Sequence, residues 1–117
     1  KYKLTHKDCF IIGFSQGAMM AFEFGKYIDK TFAGCVLLSG RILPSEDYEK
    51  KYFIKTPVLI VHGDQDIVLE PKYFDEANKI LKNHSFLFDS YLMKNEGHTV
   101  SFETLKLTKN FIKKHMT

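Results

Sequence analysis

The sequence predicts an α/β domain built on a parallel sheet of about four strands with flanking helices. Three observations predict it. Apolar runs alternate along the chain with amphipathic stretches of helical period. Three of the four strand candidates are continuous apolar runs, as expected of strands buried on both faces. Glycine and proline punctuate the junctions between elements. With 117 residues, 44% of them hydrophobic and 26% charged, the chain has apolar surface for one core, and residues 1–117 read as a single domain.

The elements follow in order. "CFIIGF", residues 9–14, is a short buried-strand run. "SQGAMMAFEFGKYIDK" places Ala18, Phe22 and Tyr27 among helix formers with apolar recurrence near the helical repeat. "GCVLLSG", residues 34–40, is a strand bounded by glycines. "RILPSEDYEKKYFIK" is mixed and broken by Pro44, so a loop with a weak helical turn is expected, either a plain connection or a partly apolar lid over 41–53 carrying Tyr48, Tyr52 and Phe53. "TPVLIVHGDQD" is a third buried strand, opened by Pro57 and stopped at Gly63. "PKYFDEANKILKNH" has proline at the start of a helix with Phe74, Ala77, Ile80 and Leu81 on one face. "SFLFDSYLMK" alternates enough for a strand, and "TVSFETLKLTKNFIKKHM" closes with Phe102, Leu105, Phe111 and Ile112 on a helical stripe. No repeat or linker interrupts this order.

Composition narrows the function classes. Seventeen basic residues face fourteen acidic ones, and the lysines are scattered rather than blocked, so the net +3 reads as a solvated surface and not as a nucleic-acid footprint. No stretch approaches the ~20 apolar residues of a membrane span. Cys9 and Cys35 each lie in an apolar run, which predicts buried free thiols in a reducing compartment, and "KYKLTHKD" lacks the apolar core of a signal peptide. A cytoplasmic setting is the expectation. The chain does not begin with Met, as a trimmed or partial product would not.

The residues that carry chemistry sit at the strand ends. "GFSQG" is a G-x-S-x-G pattern at a strand-to-helix junction. A serine held in a strained turn there needs neighbours two before and two after it that lack a Cβ, and Gly13 and Gly17 are expected to supply that clearance. The turn lifts the Ser15 hydroxyl above the sheet, and the Gln16 backbone N–H, at a helix N-terminus, is expected to face a developing oxyanion. Alone, the pattern also describes an ordinary glycine-rich turn. The third strand, however, ends in "VHGDQD", and "NEGHTVSF" puts His98 on the loop after the fourth. Serine, then aspartate, then histidine, at the ends of the first, third and fourth strands, is the chain order of a hydrolytic triad.

At these residues the sequence resembles a known family. "GFSQGAMMAF", "PVLIVHGDQDIVLEP" and "GHTVSFE" look like the nucleophile elbow, acid segment and histidine segment of the α/β-hydrolase phospholipase/carboxylesterase family, which includes the acyl-protein thioesterases. The resemblance runs from Asp8 to the last helix and implies the C-terminal half of an α/β-hydrolase fold. It implies Ser15 as nucleophile, His98 as general base and acid, and Asp66 as the carboxylate that orients His98, with Asp64 stabilising a turn and Val68 lining the loop.

The implied activity is hydrolysis of carboxylic esters, thioesters or lysophospholipids through an acyl-enzyme, with no metal and no organic cofactor. The string His62, Asp64, Asp66 offers metal-ligand residue types, yet Gly63 is expected to end the strand and with it their common face. The family's N-terminal half, including the loop with the second oxyanion donor and one wall of the acyl pocket, has no counterpart in these residues. The strand 9–14 is accordingly expected to be a bare apolar edge that seeks a second copy or a partner chain. A competing expectation follows: a catalytically weak or inactive fragment that serves as an assembly module or as half of a two-part enzyme.

Overall fold

A computed structural model describes residues 3–45 and 50–116. Four parallel strands, β1 (Phe10–Phe14), β2 (Gly34–Leu38), β3 (Val58–Gly63) and β4 (Phe88–Met93), lie side by side in chain order. Helix α1 (Gln16–Ile28) joins β1 to β2, α2 (Lys72–Asn83) joins β3 to β4, and α3 (Phe102–His115) follows β4. The segment between β2 and β3 carries one short 3-10 turn, Phe53–Lys55, and the middle of the candidate lid, 46–49, lies outside the described residues.

Burial on both faces explains the apolar runs. All residues of β2 and β3 are buried, and their side chains alternate between two cores. Cys35, Leu37, Val58 and Ile60 point to one face, where they pack with Ala18 and Phe22 of α1, Ile42 and Phe53 of the connection, and Phe74, Ala77 and Leu81 of α2. Val36, Leu38, Leu59 and Val61 point to the other and meet Phe111 of α3. Right-handed crossovers between strands laid down in sequence must all pass over the same face, which is why α1 and α2 share a core and only the helix after the last strand covers the opposite side.

Three expectations are corrected. Tyr27 lies on the solvent side of α1, because nine helical residues after Ala18 carry it half a turn away from the buried Ala18, Ala21, Phe22 and Gly25. In α3 the buried face is Thr104, Thr108 and Phe111, whereas Phe102 and Leu105 are exposed. The threonines tolerate burial because the Thr108 hydroxyl donates to the Thr104 carbonyl at 2.9 Å. Cys9 is exposed, since it precedes β1 and ends a 3-10 turn, while Cys35 is buried in the middle of β2; both are free. No helix among the described residues is long and apolar enough to cross a membrane.

Candidate active site

The strands are parallel, so their C-terminal ends share one edge, and the three sequence-predicted residues meet there. Ser15 sits between β1 and α1 at φ 57° and ψ −120°, a positive-φ conformation outside the standard regions that is costly for a residue with a side chain. Its N–H donates to the Leu38 carbonyl at 2.8 Å, extending the β1–β2 ladder into the turn and anchoring the strained residue. A Cβ on Gly13 would come within 2.2 Å of the Gly17 carbonyl oxygen, so the strand arm can approach the helix arm only with glycine at that position.

Gly17 behaves differently. A Cβ there would meet nothing within 4 Å, so the clearance expected of both glycines is required of Gly13 alone. Gln16 is the first residue of α1, and its N–H is one of those that a helix N-terminus leaves without a carbonyl partner.

Asp66 lies just past β3 and its carboxylate is buried. Oδ1 accepts the N–H groups of Val68 at 2.9 Å and Leu69 at 2.8 Å, while Oδ2 lies 2.7 Å from His98 Nδ1. Burial pushes this carboxyl up, but the hydrogen bonds from Leu69, His98 and Val68 together outweigh it and hold the group below its ordinary value of 3.8. A carboxylate only accepts, so the His98 ring carries its proton on Nδ1 and leaves Nε2 as an acceptor. That nitrogen is 2.9 Å from Ser15 Oγ. Three groups spread over 83 residues of chain thus form one hydrogen-bonded line.

Two strand-end loops are stitched together to hold that line. Gln65 N–H donates to the Glu96 carbonyl at 2.8 Å, and Asn95 N–H donates to Asp64 Oδ1 at 2.7 Å. Asp64 therefore braces the turn before His98, in keeping with its expected role. Phe14 lies with its ring centroid 5.0 Å from that of His98 and packs against one side of the imidazole. Within the His62, Asp64, Asp66 string, His62 Nε2 lies 2.7 Å from the Leu69 carbonyl, and no group of three or more metal-ligating side chains is assembled among the described residues.

A family model described as phospholipase/carboxylesterase matches residues 1–116. The chain belongs to this family. Among curated relatives, it is 29% identical over 114 residues to acyl-protein thioesterase 1 homolog 1 of Dictyostelium discoideum, covering 96% of this chain and 50% of that protein. It is also 29% identical over 127 residues to acyl-protein thioesterase 1 of Candida albicans, covering 97% of this chain and 54% of that one. The crystal structure of Arabidopsis thaliana SOBER1 superposes with a TM-score of 0.88 at 26% identity, over 96% of this chain and 55% of SOBER1. That of esterase PE8 does so with a TM-score of 0.88 at 28% identity, over 97% and 53%. The chain spans about half the length of the curated relatives it matches.

Two residues of this chain were not read from the sequence as parts of the site. A Cβ on Gly63 would fall within 2.2 Å of the Glu96 carbonyl oxygen, so its bareness lets the histidine loop close onto the end of β3. His62, taken only as a candidate metal ligand, reaches across the acid loop instead. The string "HG" in "VHGDQD" was the available signal.

Proposed function

We propose that this chain carries the catalytic line of a serine hydrolase acting on carboxylic esters or thioesters, lysophospholipids included, through an acyl-enzyme. The single observation that carries the reading is the line from Ser15 Oγ through His98 to Asp66, at 2.9 Å and 2.7 Å. It is supported by a strained serine conformation that only a functional demand or an enforced turn sustains. The relatives named acyl-protein thioesterases support the acyl substrate class.

In this reading His98 Nε2 takes the Ser15 hydroxyl proton as Oγ bonds to the carbonyl carbon, and the carbonyl electron pair moves onto oxygen. The Gln16 N–H stabilises that oxyanion. Collapse expels an alcohol or thiol, which takes the proton back from His98. Water, deprotonated by the same imidazole, then attacks the acyl carbon, releases the carboxylic acid and restores Ser15. Asp66 keeps the proton on Nδ1 and stabilises the imidazolium that forms twice per cycle. No step calls for a metal or an organic cofactor. The free thiols Cys9 and Cys35 support a reducing, cytoplasmic setting.

A fluorophosphonate probe tests the reading. The chain is expected to be labelled stoichiometrically and Ser15→Ala not at all. A folded chain that resists labelling would sink the reading for these residues alone.

A second reading, an assembly module or half of a two-part enzyme, is favoured by bare apolar surface around β1. Ile12 and Phe14 on the strand, and Met20, Phe24 and Tyr27 along one stripe of α1, are exposed. The two readings are compatible if a second chain completes the site.

A further inference from the structure

We propose that His62 is a positioning residue: its Nε2–H clamps the Leu69 carbonyl and thereby holds the Asp66 carboxylate against His98. The inference rests on the reading of Ser15, His98 and Asp66 as a catalytic line, and adds a fourth residue that touches neither substrate nor nucleophile.

The loop between β3 and α2 is tied to the histidine loop at its start, through Asp64 and Gln65, but beyond Asp66 it has little else to hold its shape. From Asp64 to Glu70 only Asp66 is buried, and the two apolar side chains that follow it, Ile67 and Val68, are 91% and 68% exposed. Apolar packing therefore does not fix the loop, and hydrogen bonds must. On one side the carboxylate gathers Val68 and Leu69 N–H groups into a tight turn. The Asp66 N–H itself makes only a long bond, 3.3 Å, to the Gly63 carbonyl. The contact that returns the far end of the turn to the sheet is His62 Nε2 to Leu69 O, 2.7 Å. Leu69 is thus held from both directions, its N–H by Asp66 and its carbonyl by His62.

The chemistry of the partners sets the proton. A carbonyl oxygen only accepts, so His62 carries hydrogen on Nε2, and that nitrogen lies 3.3 Å from Asp66 Oδ2, the oxygen that faces His98. Two imidazoles therefore converge on one carboxylate oxygen, one through a direct bond and one chiefly by holding the loop around it. The His62 ring is itself held. It is 2% exposed, its centroid lies 6.2 Å from that of Phe74 on α2, and the cavity it shares with Leu37, Ile60 and Ala77 amounts to about 10 Å³, room for no more than one water. A ring so confined presents its N–H in one direction.

His62→Gln and His62→Asn separate positioning from packing, because the glutamine amide nitrogen falls near the place of Nε2 and the asparagine amide falls short of it. Two quantities are read in the full chain, with far-UV circular dichroism and thermal melting to verify folding. One is the far-downfield proton resonance of His98 Nδ1–H, assigned by its loss in His98→Ala, and the other is the rate of fluorophosphonate labelling. His62→Asn is expected to lose or broaden the resonance and to label about 10²-fold more slowly, the scale of a misplaced catalytic group. His62→Gln is expected to keep the resonance and label within about tenfold of the parent. A folded His62→Asn with unchanged resonance and rate overturns the proposal, as does a folded His62→Gln that loses both. If the parent chain shows the resonance, His62→Asn loses it and neither labels, the clamp stands and the hydrolase reading fails.

Discussion

Asp66 is buried yet ionised, because both of its oxygens have donors aimed at them before any substrate arrives. Its carboxyl titrates below 3.8 in the folded chain, so the unfolded chain binds the extra proton first. The stabilisation is full above the ordinary value and is lost as pH falls through the folded one. Asp66→Asn is expected to flatten the acid limb of a stability-against-pH curve below about pH 4 and to slow fluorophosphonate labelling about 10⁴-fold, by leaving His98 without an acceptor at Nδ1. Acid titration followed by circular dichroism and a labelling time course read the two effects. Burial pushes the Cys35 thiol from 9.0 up to about 12, whereas Cys9 is exposed. A disulfide reagent at pH 8 is expected to modify one thiol in the native chain and two in denaturant. A raised thiol also withdraws stability as pH climbs above about 9, since the unfolded chain ionises first. At this scale Ser15, Asp66 and His98 could be picked out as candidates because each follows a strand run in a short stretch that also carries glycine: "GFSQG", "HGDQD" and "GHTVS". His62 was not, because the partner of its Nε2 depends on the path of a loop that carries no pattern.

The elbow between β1 and α1 shows how an element divides labour between two residues of one kind. Gly13 faces the Gly17 backbone, and Gly17 faces open space. Gly13→Ala is expected to destabilise the chain by about 1–3 kcal/mol through backbone crowding and to abolish the elbow. Gly17→Ala is expected to be neutral or to stabilise by up to about 1 kcal/mol, by the gain in helix propensity. Urea unfolding of both variants distinguishes them. The existence of the strands was readable from the apolar runs, since a buried parallel strand has no polar side to confuse it. Helix faces were less so. In α3 a stripe through Phe102 and Leu105 competes with one through Thr104, Thr108 and Phe111, and hydropathy favours the wrong one. The sheet decides, because Phe111 is buried in one cluster with Leu59 and Val61, and the threonines on its side of the helix are buried with hydroxyl partners close by, Ser101 Oγ for Thr104 and the Thr104 carbonyl for Thr108.

Among the described residues, β1 is paired with β2 on one side only, and the face it shares with α3 is left partly bare at Ile12 and Phe14. An apolar edge strand without a charge is a template for pairing. The chain is expected to self-associate at micromolar concentration, and Ile12→Lys to return it toward a monomer while changing stability by no more than about 0.5 kcal/mol, because the side chain is already half exposed. Light scattering over a dilution series checks this, and a monodisperse monomer of the parent chain would refute it. By itself the sequence determined the α/β class and the parallel strands, and it singled out the three residues of the candidate line, because each is written in local pattern: apolar runs, glycines on either side of a serine, and acid and histidine at later strand ends. Only the tertiary structure decided which glycine must be bare, which side of α3 is inside, and that His62 reaches Leu69. These depend on distances between segments far apart in the chain, which no local pattern encodes.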